Sequence, residues 1–448
     1  MTRFLMVQGT SSDAGKSILV MALCRIFADK GIKVAPFKAQ NMSSNSEIIE
    51  GLEIAKAQYL QARAARTKAS VEMNPILLKP LGNYLSKVIL LGREYSILHA
   101  KDYYERFVLN YGLKHVLNAI ERLSKEYELI VIEGAGSPAE INLQEYDIAN
   151  MRLAEILSAS VIIVSDIDRG GSFASMIGTL ELIPNKELVK GFVINKFRGD
   201  LEILRPAVER FEMVCNKPIL GVIPYIDGIR LSNEDTLSLN NTKDANVIVI
   251  RYPNATNLTE IDPLLSTFKV SYINDNNLRD ALLIILPPSR DLVADLKWME
   301  SNGIADWIRY ASKKGFNIIG IDEGYAMLAR SIDGTKGLGL LDLTLTNKRR
   351  VEKYALFNDK RCFIKIGFDV NDNREEALIS KVDDKDLIIG NRRRNIIGYA
   401  ASGIIEEVAK MLRLEVEDRV DEEIDRVANI IKENVDISKI EKIIGLDN

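Results

Sequence analysis

Histidine is almost missing from this chain. Its 448 residues include two, His99 and His115, and none beyond them. The commonest general base in enzymes is therefore unavailable to the last three-quarters of the sequence. Cysteine is nearly as scarce: Cys24, Cys215 and Cys362 lie far apart, which excludes a disulfide framework and points to a reducing compartment. No apolar run approaches the ~18–20 residues of a membrane helix, and the first residues lead straight into a strand pattern. Neither a membrane span nor a signal peptide is expected, and a cytoplasmic location follows. A formal net charge of −4 gives no electrostatic pull toward nucleic acid. Internal repeats and low-complexity segments are absent as well.

What remains is an ordinary globular balance, 47% hydrophobic and 27% charged, in a chain long enough for two or three domains. Its most informative stretch comes first. An apolar strand, Arg3 to Gln8, runs into Gly9-Thr10-Ser11-Ser12-Asp13-Ala14-Gly15-Lys16-Ser17 and then into a helical pattern from Ile18. A phosphate-binding loop needs this chemistry. Glycines let backbone N–H groups wrap a phosphate, Lys16 brings charge to the β- and γ-phosphates, and the Ser17 hydroxyl can hold Mg²⁺. Five residues rather than the standard four separate Gly9 from Gly15, but the loop sits between strand and helix as a phosphate loop must.

The first half alternates apolar strands (near 3–8, 32–36, 86–91, 128–133, 160–165, 189–195 and 219–224) with helices (near 16–30, 53–69, 102–126, 147–157 and 171–183). Such alternation predicts an α/β fold, a mostly parallel sheet covered by helices. The polar, turn-rich stretch from Ser232 to Asp244 marks a domain boundary, giving domains at 1–240 and 245–448. A second strand–helix series begins at Val247, with further buried strands at 282–286 and 316–320. The stretch 402–434 reads as an amphipathic surface helix pair. Polar residues cluster after four strands of the first domain, at Pro36–Met42, Val131–Pro138, Asp166–Gly171 and Asn195–Asp200. The carboxyl ends of parallel strands form the ligand crevice of such sheets, so these clusters converge on the phosphate loop.

These stretches, together with Met73-Asn74-Pro75 to Lys79-Pro80, Asp147-Ile148-Ala149-Asn150-Met151, Gly191 to Asp200 and Glu234-Asp235, resemble the cobyric acid synthase family. Its members are glutamine-dependent amidotransferases of cobalamin biosynthesis. Their nucleotide domain is similar to dethiobiotin synthetase, which shares the five-residue loop spacing. The resemblance implies a P-loop NTPase-type domain at 1–240 and a class I glutamine amidotransferase-like α/β domain at 245–448. It implies ATP and Mg²⁺ as cofactors. The substrate would be cobyrinic acid a,c-diamide or its adenosylated form, its peripheral carboxylates amidated through acyl phosphates. Lys16, Lys38 and Glu133 would then be catalytic, Gly9 to Ser17 and Asn195 would bind the nucleotide, and Ser17, Glu133 and Asp166 would face the metal. Two of these have alternatives in the residues themselves. Lys38 could be a solvated loop lysine, and Asp147, a further metal or substrate candidate, could simply cap the helix that follows it.

The second domain departs from the family at its glutaminase site. The nucleophile elbow should read Gly-Ile-Cys-Gly-Gly-Tyr-Gln-Met-Leu-Gly; here it is Gly320-Ile321-Asp322-Glu323-Gly324-Tyr325-Ala326-Met327-Leu328-Ala329. A carboxylate, reference pKa about 3.9, cannot replace a thiolate in forming a thioester. Ser402 stands where the family's histidine should be, and Pro288 replaces a turn glycine, removing an N–H donor. Cys362, without a histidine in reach, is expected to be a buried structural residue. The expectation is a ligase fed by free ammonia or by a separate glutaminase, with no nucleic acid or membrane partner. Two other readings stay open: a non-catalytic nucleotide- and corrinoid-binding relative, and a partitioning-type ATPase. The latter usually carries a lysine early in its phosphate loop, where this chain has Thr10, Ser11 and Ser12.

Overall fold

The structure is a computed structural model that describes residues 2–43, 45–231, 245–265, 267–274, 281–382 and 385–446. The chain forms two compact units, one of Met1–Ile229 with Val420–Asn448, the other of Arg230–Arg419. The boundary stretch 232–244, and with it Glu234 and Asp235, lies outside the described residues.

The first unit is built on six parallel strands in the spatial order Ile219–Pro224, Val189–Phe197, Ser160–Asp166, Arg3–Gly9, Leu129–Glu133, Val34–Phe37. All of Leu129–Glu133 and Val34–Phe37 is buried. That is the mark of a sheet covered on both faces, and it is why these strands read as continuous apolar runs. From Arg3–Gly9 the chain crosses to one side, and from Ser160–Asp166 to the other. The crevice between these two neighbours is the topological switch point, where open parallel sheets bind ligands.

The expected strand near 86–91 exists but is not part of this sheet. Leu85–Leu90 lies in a separate four-stranded sheet with Gln40–Met42, Ile76–Gly82 and Arg93–His99. Asn83 and Tyr84 have φ of 49° and 60°, and Leu91 and Gly92 have 46° and 79°. Two-residue turns with both residues left-handed close antiparallel hairpins; a parallel pairing needs a crossover of a dozen residues or more. The helix Leu201–Cys215 was not expected, because Pro206 interrupts its pattern. Asp200 caps it, accepting from the Glu202 N–H at 2.9 Å. The expected helix over 102–126 is divided, with wide turns over Tyr103–Gly112 before a regular Leu113–Leu123.

The second unit holds five parallel strands, Val270–Ile273, Val247–Ile250, Leu283–Leu286, Asn317–Ile321 and Ile396–Tyr399. Antiparallel strands Lys385–Arg393, Glu376–Val382, Thr344–Phe357 and Lys360–Asn371 extend it. The expected domain 245–448 differs from this in its last segment. Helices Val420–Asn434 and Ile437–Ile443 belong to the first unit. The former packs on Lys16–Asp29, and Val435 pairs with Gly221 on the edge strand of the parallel sheet. The expected helix pair at 402–434 is thus split: Ile405–Met411 stays in the second unit. Periodicity alone cannot assign an amphipathic helix to one core or another. Among the described residues, no helix is long and apolar enough to cross a membrane.

Candidate active site

The loop Gly9–Ser17 leaves the centre of the parallel sheet and enters helix Lys16–Asp29. Its glycines are dictated by close approach. Gly15 has φ of +103°, and a Cβ there would lie 2.0 Å from Asn195 Nδ2. A Cβ on Gly9 would lie 2.9 Å from Lys16 Nζ. Asn195 therefore buttresses the loop, donating to the Ala14 carbonyl at 2.9 Å. Thr10 ties the other end, its N–H donating to the Val164 carbonyl at 3.0 Å and its hydroxyl bonding to Ser165. Lys16 Nζ donates to the carbonyl oxygens of Ser11 at 2.9 Å and Gly136 at 3.0 Å. The ammonium thus spans the mouth of the loop.

On one side of the loop stands Glu133, the last residue of its strand and fully buried. Its Oε1 accepts from Ser17 Oγ at 2.7 Å and from Lys38 Nζ at 2.8 Å. Its Oε2 accepts from Gln61 Nε2 at 2.6 Å and, more weakly, from Gln58 Nε2 at 3.4 Å. Lys38 is 5% exposed, so it is no solvated loop lysine. Ser17, Lys38 and Glu133, remote in sequence, meet in one cluster because three parallel strands end side by side. Gln58 and Gln61 were missed by sequence reasoning. Their one signal was two glutamines a turn apart on the inward face of Lys56–Ala64, where both are buried. Asn41 Nδ2 donates to Gln58 Oε1 at 2.8 Å. Asn74 donates to the Lys38 carbonyl at 3.1 Å and so fixes the backbone that carries the lysine.

On the other side of the loop Asp166 and Asn195 are paired across neighbouring strands. The Asp166 carboxylate accepts from Lys196 Nζ at 2.8 Å and from the Asp168 N–H at 2.9 Å, and Arg169 lies 3.7 Å away. Its hydrogen bonds join it to this basic group and not to the Ser17–Glu133 pair. Lys196, also missed, donates as well to the Asp13 carbonyl at 2.8 Å. Asp147 acts as a cap: its carboxylate accepts from the backbone N–H groups of Ala149, Asn150 and Arg152 at 2.9, 2.7 and 3.0 Å. Asn150, thereby oriented, clamps the turn after Glu133 through both the N–H and the carbonyl of Ala135. Burial first, and the Glu133 charge second, push the Cys24 thiol far up, so it packs the helix rather than reacting.

Oxygen donors without nitrogen or sulfur suit Mg²⁺. The Ser17 hydroxyl and the Glu133 carboxylate, 2.7 Å apart beside the loop, are such donors. No cluster of three or more His, Cys, Asp or Glu suited to a metal occurs among the described residues.

In the second unit the elbow survives as backbone. Strand Asn317–Ile321 ends at Asp322, with φ 52° and ψ −112°, and helix Glu323–Leu328 follows. This helix approaches the neighbouring strand Leu283–Leu286 so closely that a Cβ on Gly324 would lie 2.0 Å from the Leu286 carbonyl oxygen. Asp322 is 4% exposed and its Oδ1 has no hydrogen-bond partner among the described residues. Burial, then the nearby Glu323 and Glu260 charges, push its carboxyl up to about 8. Ser402 exchanges backbone hydrogen bonds with Phe363, while its own hydroxyl finds no partner among the described residues. Cys362 is buried with Sγ 3.8 Å from Ser380 Oγ, a packing position.

Residues 5–239 match the family model of the CobQ/CobB/MinD/ParA nucleotide binding domain. Residues 246–366 match that of the CobB/CobQ-like glutamine amidotransferase domain. The chain is 41% identical to a probable cobyric acid synthase of Thermococcus kodakarensis, covering 100% of both chains. It is 39% identical to one of Picrophilus torridus over 97% of this chain and 98% of that one. It is also 44% identical to a cobyric acid synthase of Pelotomaculum thermopropionicum over 77% of this chain and 70% of the other. The shared domain pair and the full-length identity place this chain in the cobyric acid synthase family of amidating ligases.

Proposed function

We propose that this protein amidates peripheral carboxylates of cobyrinic acid a,c-diamide, or its adenosylated form, with ATP and ammonia, and that its second unit does not hydrolyse glutamine. A carboxylate is a poor electrophile for ammonia, being anionic and lacking a leaving group. A substrate carboxylate oxygen attacks the γ-phosphorus of ATP, and the bond to ADP breaks. Ammonia then attacks the acyl carbon, phosphate leaves with the bonding pair, and a proton is lost to give the amide. Phosphoryl transfer asks the protein mainly for positioning and charge neutralisation. Lys16, held at the loop mouth by two neutral carbonyl oxygens, would exchange them for the more negative β- and γ-phosphates. Lys38 supplies a second positive charge beside Glu133. Ser17 and Glu133 would hold Mg²⁺, which when bound neutralises phosphate charge. Asn195, against the loop backbone, stands on the nucleotide side of the crevice. A reducing cytoplasm, suited to three cysteines that form no disulfide, is the setting that accompanies this proposal.

One observation carries the nitrogen-source reading: the nucleophile position is Asp322, and no histidine follows His115. A buried aspartate has no thiolate to give, and no imidazole is present in that unit to relay a proton. Ammonia comes from solution or from a separate glutaminase. The test is to incubate the chain with ATP, Mg²⁺ and cobyrinic acid a,c-diamide, giving either ammonium or glutamine. Amide formed with ammonium and not with glutamine agrees with the proposal. Equal turnover on glutamine refutes the lost glutaminase. No turnover with either donor, with ATP still bound, favours a non-catalytic nucleotide- and corrinoid-binding relative. Lys16→Ala should abolish turnover.

A further inference from the structure

The last segment of the chain ends on the helices that carry the nucleotide cluster. In helix Lys16–Asp29, Arg25 is buried to 1% exposure. Its Nη2 donates to Asp421 Oδ1 at 2.7 Å, and its Nε lies 3.3 Å from Asp425 Oδ1. No hydrogen-bond partner is found for Nε or Nη1 among the described residues. Asp421 is thus the hydrogen-bond acceptor of Nη2 on this buried guanidinium, with Asp425 adding charge beside Nε. Its second oxygen serves a different helix: Arg63, at the end of Lys56–Ala64, donates to Asp421 Oδ2 through Nε at 3.0 Å and Nη2 at 2.8 Å. Burial works against the Asp421 charge, but the hydrogen bonds from Arg63 and Arg25 outweigh it and hold the carboxyl below its ordinary range.

The two helices bridged in this way meet again at the site. Lys16–Asp29 begins with Lys16 and Ser17, and Lys56–Ala64 carries Gln58 and Gln61. Gln61 Nε2 bonds both Glu133 Oε2 at 2.6 Å and the Ser17 carbonyl at 3.3 Å. One carboxylate, Glu133, joins the helices at the nucleotide end. A second, Asp421, joins them at Arg25, eight residues or about 12 Å further along the phosphate-loop helix at ~1.5 Å rise per residue, and at Arg63, two residues beyond Gln61 on the other. Two ties on a rigid pair fix their relative rotation, which one tie cannot.

We propose that Asp421 is a positioning residue of the nucleotide site: by bridging Arg25 and Arg63 it sets the phosphate-loop helix against the Gln58–Gln61 helix and so holds Ser17 and Glu133 in register. The inference concerns nucleotide binding and stands whether or not the nitrogen donor is ammonia. Losing a group that orients binding residues without touching the ligand costs about 10–100-fold in metal sites, so a loosened bridge is expected to cost about tenfold in affinity.

The test measures binding of ATP with Mg²⁺ to the full chain by titration calorimetry, alongside thermal unfolding. Asp421→Asn should weaken ATP binding about tenfold, and Asp421→Glu, which keeps the charge, should recover to within about threefold. Lys30→Ala is the control. It removes the Lys30–Glu441 ion pair, which fastens the same C-terminal segment beside the phosphate-loop helix without touching Lys56–Ala64. It should lower the melting temperature, by less than Asp421→Asn, and leave ATP affinity unchanged. Wild-type affinity in a folded Asp421→Asn protein, or an equal loss in Lys30→Ala, overturns the proposal. Should Asp421→Asn not fold, Arg63→Gln, which leaves the Arg25–Asp421 bond intact, is judged by the same criterion.

Discussion

Replacing Glu133 by glutamine is the sharpest perturbation of the nucleotide cluster, because shape is kept and only charge and donor pattern change. The carboxylate accepts at both oxygens, from Ser17 and Lys38 on one side and from Gln61 on the other. An amide has one oxygen and one NH₂, so either the Ser17–Lys38 side or the Gln61 side loses its acceptor. The Lys38 side chain is 7% exposed and that of Glu133 is fully buried, so the ammonium cannot turn to water for the lost charge. Removing one partner of a buried ion pair costs ~3–5 kcal/mol. At about 2–4 °C per kcal/mol for a unit of this size, the melting temperature of the first unit should fall by about 6–20 °C. The double variant Glu133→Gln/Lys38→Met removes both charges and should recover at least half of that loss. Thermal unfolding by circular dichroism, with an amidation assay beside it, reads both effects; neither variant should turn over. A shift under about 2 °C for Glu133→Gln, or a double variant less stable than the single, would refute the reasoning.

Asp322 makes stability depend on pH in a direction opposite to that of most carboxylates. Its folded pKa, about 8, lies above the unfolded value, so the folded state binds the extra proton between about pH 4 and 8 and stability falls as pH rises through that window. Asp322→Asn, which tolerates the left-handed φ, should therefore raise the melting temperature of the second unit at about pH 8 and change it little at about pH 4; the reverse order defeats the assignment. Asp322→Cys should release no glutamate from glutamine in a coupled assay, since the imidazole stays absent; glutamate release above the wild-type background would show that another residue serves as base. Gly15→Ala should abolish ATP binding by calorimetry, because the new Cβ would sit 2.0 Å from Asn195 Nδ2 in a backbone already at φ +103°; retained affinity would show that the loop can re-form around it.

Much of this site was legible where chemistry follows chain order. The strand, loop and helix of residues 3–29 announce themselves through apolar pattern and glycine placement. Lys38, Glu133, Asp166 and Asn195 stand at strand ends, which a parallel sheet gathers at one edge. The strand at 86–91 was assigned to the wrong sheet, because its hairpin turns lack the usual Asn-Gly pair and use Asn83-Tyr84 and Leu91-Gly92 instead. Gln58, Gln61 and Asn150 could not be singled out, since a glutamine or asparagine on a helix face looks the same whether it meets a carboxylate or water.

Sequence by itself determined the phosphate-loop pattern, the parallel α/β class, and the placing of Asp322 and Ser402 where the family carries cysteine and histidine. Each depends on residue type within a short window or on a residue type missing from a long one, and no folding can add a histidine to the sequence beyond His115. Only the tertiary structure decided that Glu133 is a buried hub and that Asp166 bonds with Lys196. The same holds for the C-terminal helix, which returns to the first unit and brings Asp421 to Arg25 across 396 positions. Such partners are selected by which surfaces come together when the cores close, and an amphipathic pattern records only that a helix has a buried side, not what it is buried against.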